Sequence, residues 1–196
     1  DIRMTLRTIC LTEAFARSSV PVPGNAADHE FLSHGIRTPL PAEVLADAIA
    51  DVTGIAESYS NEPPGTRAIA LFAGNLKSES LDILGRCDRE SSCESGGITE
   101  PGLPKALHLI NGSLINKRLI DPAGHLSKRL GDGTNDATLV EEFYRRTLSR
   151  LPTTAEQAFW LRVFERTPIS DRVHVAQDFL WSLLLSREFA TLEFAR

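Results

Sequence analysis

The sequence contains few of the residues on which the commonest protein sites depend, and no motif in it names a reaction. Its 196 residues include three cysteines and five histidines, and no two histidines have the H-E-x-x-H spacing of a zinc protease. A C-x-x-C pair, a phosphate-binding loop, a dinucleotide fingerprint and a G-x-S-x-G elbow are all missing. The sequence therefore predicts no catalytic residue, no cofactor and no metal, and it favours a protein that is not an enzyme.

Long apolar runs and excess positive charge are also missing. The longest apolar stretch, "FLWSLLL", is far shorter than the roughly 18 residues of a membrane-spanning helix. The net charge of −5 argues against a nucleic-acid partner, which would need a basic surface. Hydrophobic residues make up 42% and charged residues 24% of the chain, which predicts a folded chain with a buried core. Charges scattered through the first twenty residues do not fit a signal peptide, so we expect a mature or excised domain.

The hydrophobic residues recur mostly at helical spacing. We therefore predict a mainly α fold, a single helical domain over residues 1–196 with about six to seven helices and at most a small β element. The clearest helix lies in "LPAEVLADAIADVTGI", between the breakers Pro41 and Gly54. Its predicted buried stripe is Val44, Leu45, Ala48, Ile49 and Val52, and its predicted solvated stripe is Glu43, Asp47 and Asp51.

Other segments give more local predictions. An amphipathic first helix makes Cys10 a small core residue, and Thr66 to Leu71 is expected to be a short extended segment. Thr153 and Glu156 form a capping-box pattern at the start of a helix. A last helix, from about residue 171 to 189, is apolar on nearly every side and should be central and buried.

The segment "GRCDRESSCES" concentrates cysteines and charges. Cys87 and Cys93 stand six residues apart, which disfavours a zinc site and leaves a disulfide and two free thiols about equally supported. Arg86 and Arg89 could hold a carboxylate, a sulfate or a sugar, although surface ion pairs are the favoured alternative. The candidate binding groove combines this segment with later polar side chains: Arg86, Arg89, Glu94, His108, Asn111 and Asn116. For His108 a structural role is favoured, and for the asparagines helix capping.

The order of "LPAEVLADAIADVTGI", "GTRAIAL", "LGRCDRESSCES", "ALHLINGSLIN" and "EEFYRRTLSRLPTTAEQ" resembles the PSD-type C-terminal domain of unknown function of large planctomycete proteins. The resemblance implies an exported, extracytoplasmic protein. It also implies that the chain is the C-terminal part of a larger multidomain protein that often carries a cytochrome c-like module.

The resemblance also bears on the cysteines. Five residues match the family pattern: Gly85, Arg86, Arg89, Cys93 and Glu94. Ser95 replaces the family's second cysteine, and Cys87 replaces a proline. The oxidising compartment that the resemblance implies moderately favours a Cys87–Cys93 disulfide.

Three functional hypotheses follow. The favoured one is a non-catalytic structural or interaction module of an exported multidomain protein linked to polysaccharide use. Its partners would be the other domains of the same protein, or a glycan or protein. The alternative is part of an extracytoplasmic enzyme or redox assembly that acts with a cytochrome c-like module, with its site near Arg86–Glu94. The third is a metal- or redox-responsive loop.

Overall fold

The computed structural model describes residues 1–28, 30–60, 62–71, 78–86 and 113–192. It divides into two compact units, Asp1–Leu40 with Thr191–Arg196, and Pro41–Ala190. The predicted mainly α class is confirmed, because the described residues contain nine α-helices and one two-stranded sheet. The number exceeds the expected six to seven because two of the helices have only five and four residues. That the units form one domain stays a prediction.

The first unit contains α1 and the small sheet. Helix α1 (Ile2–Cys10) starts where the Asp1 carboxylate accepts a hydrogen bond from the Arg3 amide at 2.9 Å. Strands β1 (Thr38–Pro39) and β2 (Thr191–Leu192) pair antiparallel. The prediction that Cys10 is a core residue is wrong: its thiol is exposed, and α1 has no buried residue. Helical spacing shows which face is apolar but not whether anything covers that face.

The second unit holds the remaining helices and two single turns of 3₁₀-helix. The turns are Ala68–Ala70 and Ile169–Asp171. The helices are α2 (Ala42–Thr53), α3 (Glu79–Ile83), α4 (Ser113–Leu119), α5 (His125–Gly131), α6 (Asp136–Leu148), α7 (Thr154–Arg166), α8 (Arg172–Leu184) and α9 (Arg187–Ala190). No helix in the described ranges is long and apolar enough to cross a membrane.

The core is centred on α6, which packs against both α2 and α8. Its largest fully buried side chains include Leu45 and Ile49 of α2, Phe143 of α6 and Phe179 of α8. The ring of Phe179 lies 4.8 Å from that of Trp160 on α7, measured between centroids, in an edge-to-face arrangement. The three helices thus share one apolar centre, and α7 covers it with an aromatic side chain.

Local capping signals set several helix boundaries. The predicted capping box is confirmed: Thr153 Oγ1 accepts from the Glu156 amide at 3.3 Å, and Glu156 Oε2 accepts from the Thr153 amide at 2.7 Å. The predicted last helix is present as α8, but it buries only one face and leaves Val173 47% exposed, and it does not continue to residue 189. It ends at Leu184, and α9 starts anew where Ser186 Oγ accepts from the Phe189 amide at 3.1 Å.

Candidate functional site

Most of the groove predicted from sequence lies outside the described residues. This applies to Cys87, Arg89, Cys93, Glu94, His108 and Asn111. Arg86 forms an ion pair with Asp82 of α3 at 2.8 Å. Asn116 lines a cavity of about 250 Å³ between α4 and α8, together with Trp181. The groove and the disulfide therefore stay predictions.

A different polar cavity, which we call the α2 pocket, lies beside α2. Its volume is about 400 Å³, within the usual range of small-molecule sites. One wall is the outer face of α2, and the other is the segment that follows it, with the first residue of α5 at one end. The lining residues are Ala46, Asp47, Ala50, Asp51, Gly54, Ala56, Glu57, Tyr59, Gly65, Thr66, Arg67 and His125.

Asp47 holds the second wall against α2. Its carboxylate accepts hydrogen bonds from the backbone amides of Ala68 at 2.7 Å and Ile69 at 3.2 Å. These contacts correct two predictions. Asp47 is only 7% exposed rather than solvated, and residues 68–70 form a 3₁₀ turn rather than an extended segment. A carboxylate at the start of a turn satisfies amides that would otherwise lack a partner, and this favours the turn.

Arg67 joins the same wall to two turns of α2. Its guanidinium donates to both oxygens of Asp51, at 3.2 and 2.8 Å, and through Nε to Asp47 at 3.4 Å. The carboxylates raise the pKa of Arg67, with its hydrogen bonds to Asp51 as the main cause. Asp51 is itself exposed, as predicted. The outer edge of the pocket is therefore formed by the solvent-exposed ion pair in which Arg67 donates two hydrogen bonds to Asp51.

Glu57 connects the pocket to a buried arginine. Arg118 of α4 is 7% exposed, and its Nη2 donates to Glu57 Oε2 at 3.3 Å. Burial lowers the pKa of Arg118, and the nearby Glu57 charge opposes that shift. Its Nη1 is buried and has no hydrogen-bond partner in the part of the chain that the structure describes. Glu57 therefore neutralises the charge of Arg118, which is buried away from solvent.

Tyr59 and His125 supply the uncharged polar groups. Burial, helped by the charges of Glu57 and Asp47, raises the pKa of Tyr59 to about 12. Burial and the charges of nearby arginine and lysine residues lower the pKa of His125 below its usual 6.5. Both rings are therefore neutral at pH 7, and each can donate one hydrogen bond and accept another.

Gly54 allows α5 to approach α2. It ends α2 in the left-handed region, with φ of +76°, and an added Cβ would lie 2.6 Å from Cδ2 of the His125 ring. The sequence does predict this glycine as a helix stop, but nothing in it indicates the contact with His125. The pocket residues were missed because their partners lie 16 to 61 positions away.

The acidic side chains of the α2 pocket make structural contacts. Asp47 and Glu57 both have internal partners, and no group of three or more histidine, cysteine, aspartate or glutamate side chains within the described ranges could hold a metal ion. Fold and pocket together define a mainly helical protein with a polar pocket held by ion pairs.

Comparison with known protein families identifies the family to which the chain belongs. The PSD1 family, described as a protein of unknown function (DUF1553), matches residues 1–164, and the chain belongs to this family. No curated protein and no solved structure matches the chain.

Proposed function

We propose that the chain is a non-catalytic interaction module of a larger exported protein. Its partner would be another domain of the same protein. The planctomycete origin, the extracytoplasmic location, the neighbouring cytochrome c-like module and the link to polysaccharide use belong to this proposal, and they rest on the family resemblance. Membership of PSD1 supports it only in part, because that family has no known activity.

The observation that carries the proposal is the apolar face of α1. Ile2, Leu6 and Ile9 follow one another at steps of four and three, and so lie on one face of the helix. Their exposed fractions are 80%, 57% and 49%. We call these three residues the α1 stripe. Soluble proteins rarely expose an ordered row of large apolar side chains unless it contacts a partner.

The polar clusters support the non-catalytic part of the proposal. A general acid or base needs a carboxyl group that is available to the substrate. Asp47 instead accepts from two backbone amides, and Glu57 neutralises Arg118. These carboxylates hold the α2 pocket together, so a reaction that used them would disturb the fold.

Hydrogen exchange of the α1 amides tests the proposal. We expect at least tenfold slower exchange over residues 2–10 in the full-length protein than in the 196-residue chain, because a docked helix opens less often. Leu6→Asp should abolish the difference. Thr8→Asp, which adds the same charge away from the α1 stripe, should preserve it. Equal exchange in both proteins would refute docking through α1, and turnover of a polysaccharide by the chain would refute the non-catalytic role.

A further inference from the structure

We propose that the α2 pocket binds an uncharged polyhydroxylated ligand, a mono- or disaccharide unit, through the groups around Tyr59. This inference goes beyond the interaction role of α1 and does not depend on it, since the α1 stripe lies in the first unit and the pocket in the second. A saccharide-binding pocket is compatible with a non-catalytic module.

The charge of the residues that line the α2 pocket argues against an anionic ligand. Three carboxylates line the pocket, from Asp47, Asp51 and Glu57, and Arg67 is the one arginine or lysine among the lining residues. Arg67 is already engaged by Asp51 through two hydrogen bonds. An anionic ligand would face the unshared electron pairs of these carboxylates and would be repelled.

The existing ion pairs of the same carboxylates argue against a cationic ligand. A cationic ligand would meet carboxylates that already neutralise an internal cation, Asp51 that of Arg67 and Glu57 that of Arg118. Removing the partner of Arg118 would leave a buried charge unpaired, which is strongly unfavourable. A cation that used only the remaining lone pairs would therefore gain little charge neutralisation from the wall.

The hydroxyl groups of an uncharged ligand match the hydrogen-bonding groups of the pocket that remain available. An ion-paired carboxylate keeps lone pairs that can accept from a hydroxyl, as Glu57 Oε1 and both Asp51 oxygens can. The Tyr59 phenol, the neutral His125 ring and the Thr66 hydroxyl can each take part as well, and all three line the pocket. The Thr66 hydroxyl donates to the Pro63 carbonyl at 2.8 Å and so can only accept, whereas the Tyr59 and His125 rings can both donate and accept. A ligand whose hydroxyl groups also donate and accept matches such a wall. The cavity of about 400 Å³ is large enough for a small ligand of this kind.

Heteronuclear NMR titration of the chain tests the inference. The probes are cellobiose and maltose as neutral disaccharides, digalacturonate as an anion and glucosamine as a cation. We expect amide shifts around the pocket with at least one neutral disaccharide and weaker binding of both charged probes. Tyr59→Phe removes only the hydroxyl and should weaken binding about three- to tenfold, the value of one hydrogen bond.

A blocking variant makes the test specific to the pocket. Ala56 is exposed and lines the cavity, so Ala56→Trp should fill the space and abolish the shifts. Ala158→Trp, at an exposed position on α7, is the matched control and should bind normally. Binding that survives Ala56→Trp, a preference for either charged probe, or no shift with either neutral disaccharide would overturn the inference. None of these results would affect the α1 exchange test.

Discussion

Replacing Asp47 should destabilise the protein far more than replacing Asp51, although both are acidic residues on α2 and one helical turn apart. Asp47→Ala removes the acceptor of the Ala68 amide at 2.7 Å and of the Ile69 amide at 3.2 Å. A hydrogen bond to a charged group contributes about 1.5–3 kcal/mol, and leaving a buried donor unsatisfied costs roughly the same, about 1–3 kcal/mol. Ala68 is 1% exposed, whereas Ile69 is exposed and its amide can turn to water.

We therefore expect Asp47→Ala to lower the free energy of unfolding by about 3 kcal/mol, a large share of the 5–15 kcal/mol, roughly, of a typical domain. Asp51→Ala is the matched control and should cost only a small fraction of that, because its ion pair with Arg67 is open to solvent. Urea unfolding followed by far-UV circular dichroism measures both, and the slope against urea should stay constant. Similar losses for the two variants would show that the contacts of Asp47 with the 3₁₀ turn do not stabilise the fold.

Two further predictions concern acid stability and a glycine. Hydrogen bonds from Arg150 lower the pKa of Glu156 from 4.5 to about 2. The ionised Glu156 carboxylate therefore stabilises the fold fully above about pH 4.5, and this stabilisation is lost as the pH falls towards 2. Glu156→Gln should make the decline in Tm over that interval less steep. An unchanged decline would contradict this. Gly54→Ala should lower the Tm by roughly 5 °C, because φ of Gly54 is +76° and the added Cβ would clash with the His125 ring. Gly131→Ala should leave the Tm unchanged, because a Cβ at Gly131 has nothing within 4 Å. Equal melting of the two glycine variants would contradict the packing argument.

The helix α2 shows how much of the fold was predictable. Leu45, Ile49 and Val52 are buried as their spacing indicates, because an apolar stripe at helical period must find a core. Val44 and Ala48, at the edge of the same stripe, are only half-buried. Helical spacing thus located the centre of the buried face but not its limits, which depend on the neighbouring elements.

The candidate site was much less predictable. The sequence pattern indicated a groove at a charged, cysteine-containing segment, and most of that groove lies outside the described residues. The α2 pocket instead depends on Asp47, whose spacing made it one of three acids on a solvated face. Its burial is caused by backbone amides 21 and 22 residues further along the chain. Backbone amides are present at almost every position, so they leave no signal in the sequence.

The sequence by itself determined the start of the helix that Thr153 caps and which helix faces are apolar, because these depend on neighbours within about one helical turn. The tertiary structure decided which acids are buried, that α1 buries none of its apolar residues, and that Tyr59, Glu57 and His125 line one cavity. Those outcomes depend on contacts between residues far apart in the chain, and side-chain chemistry along the sequence does not specify them.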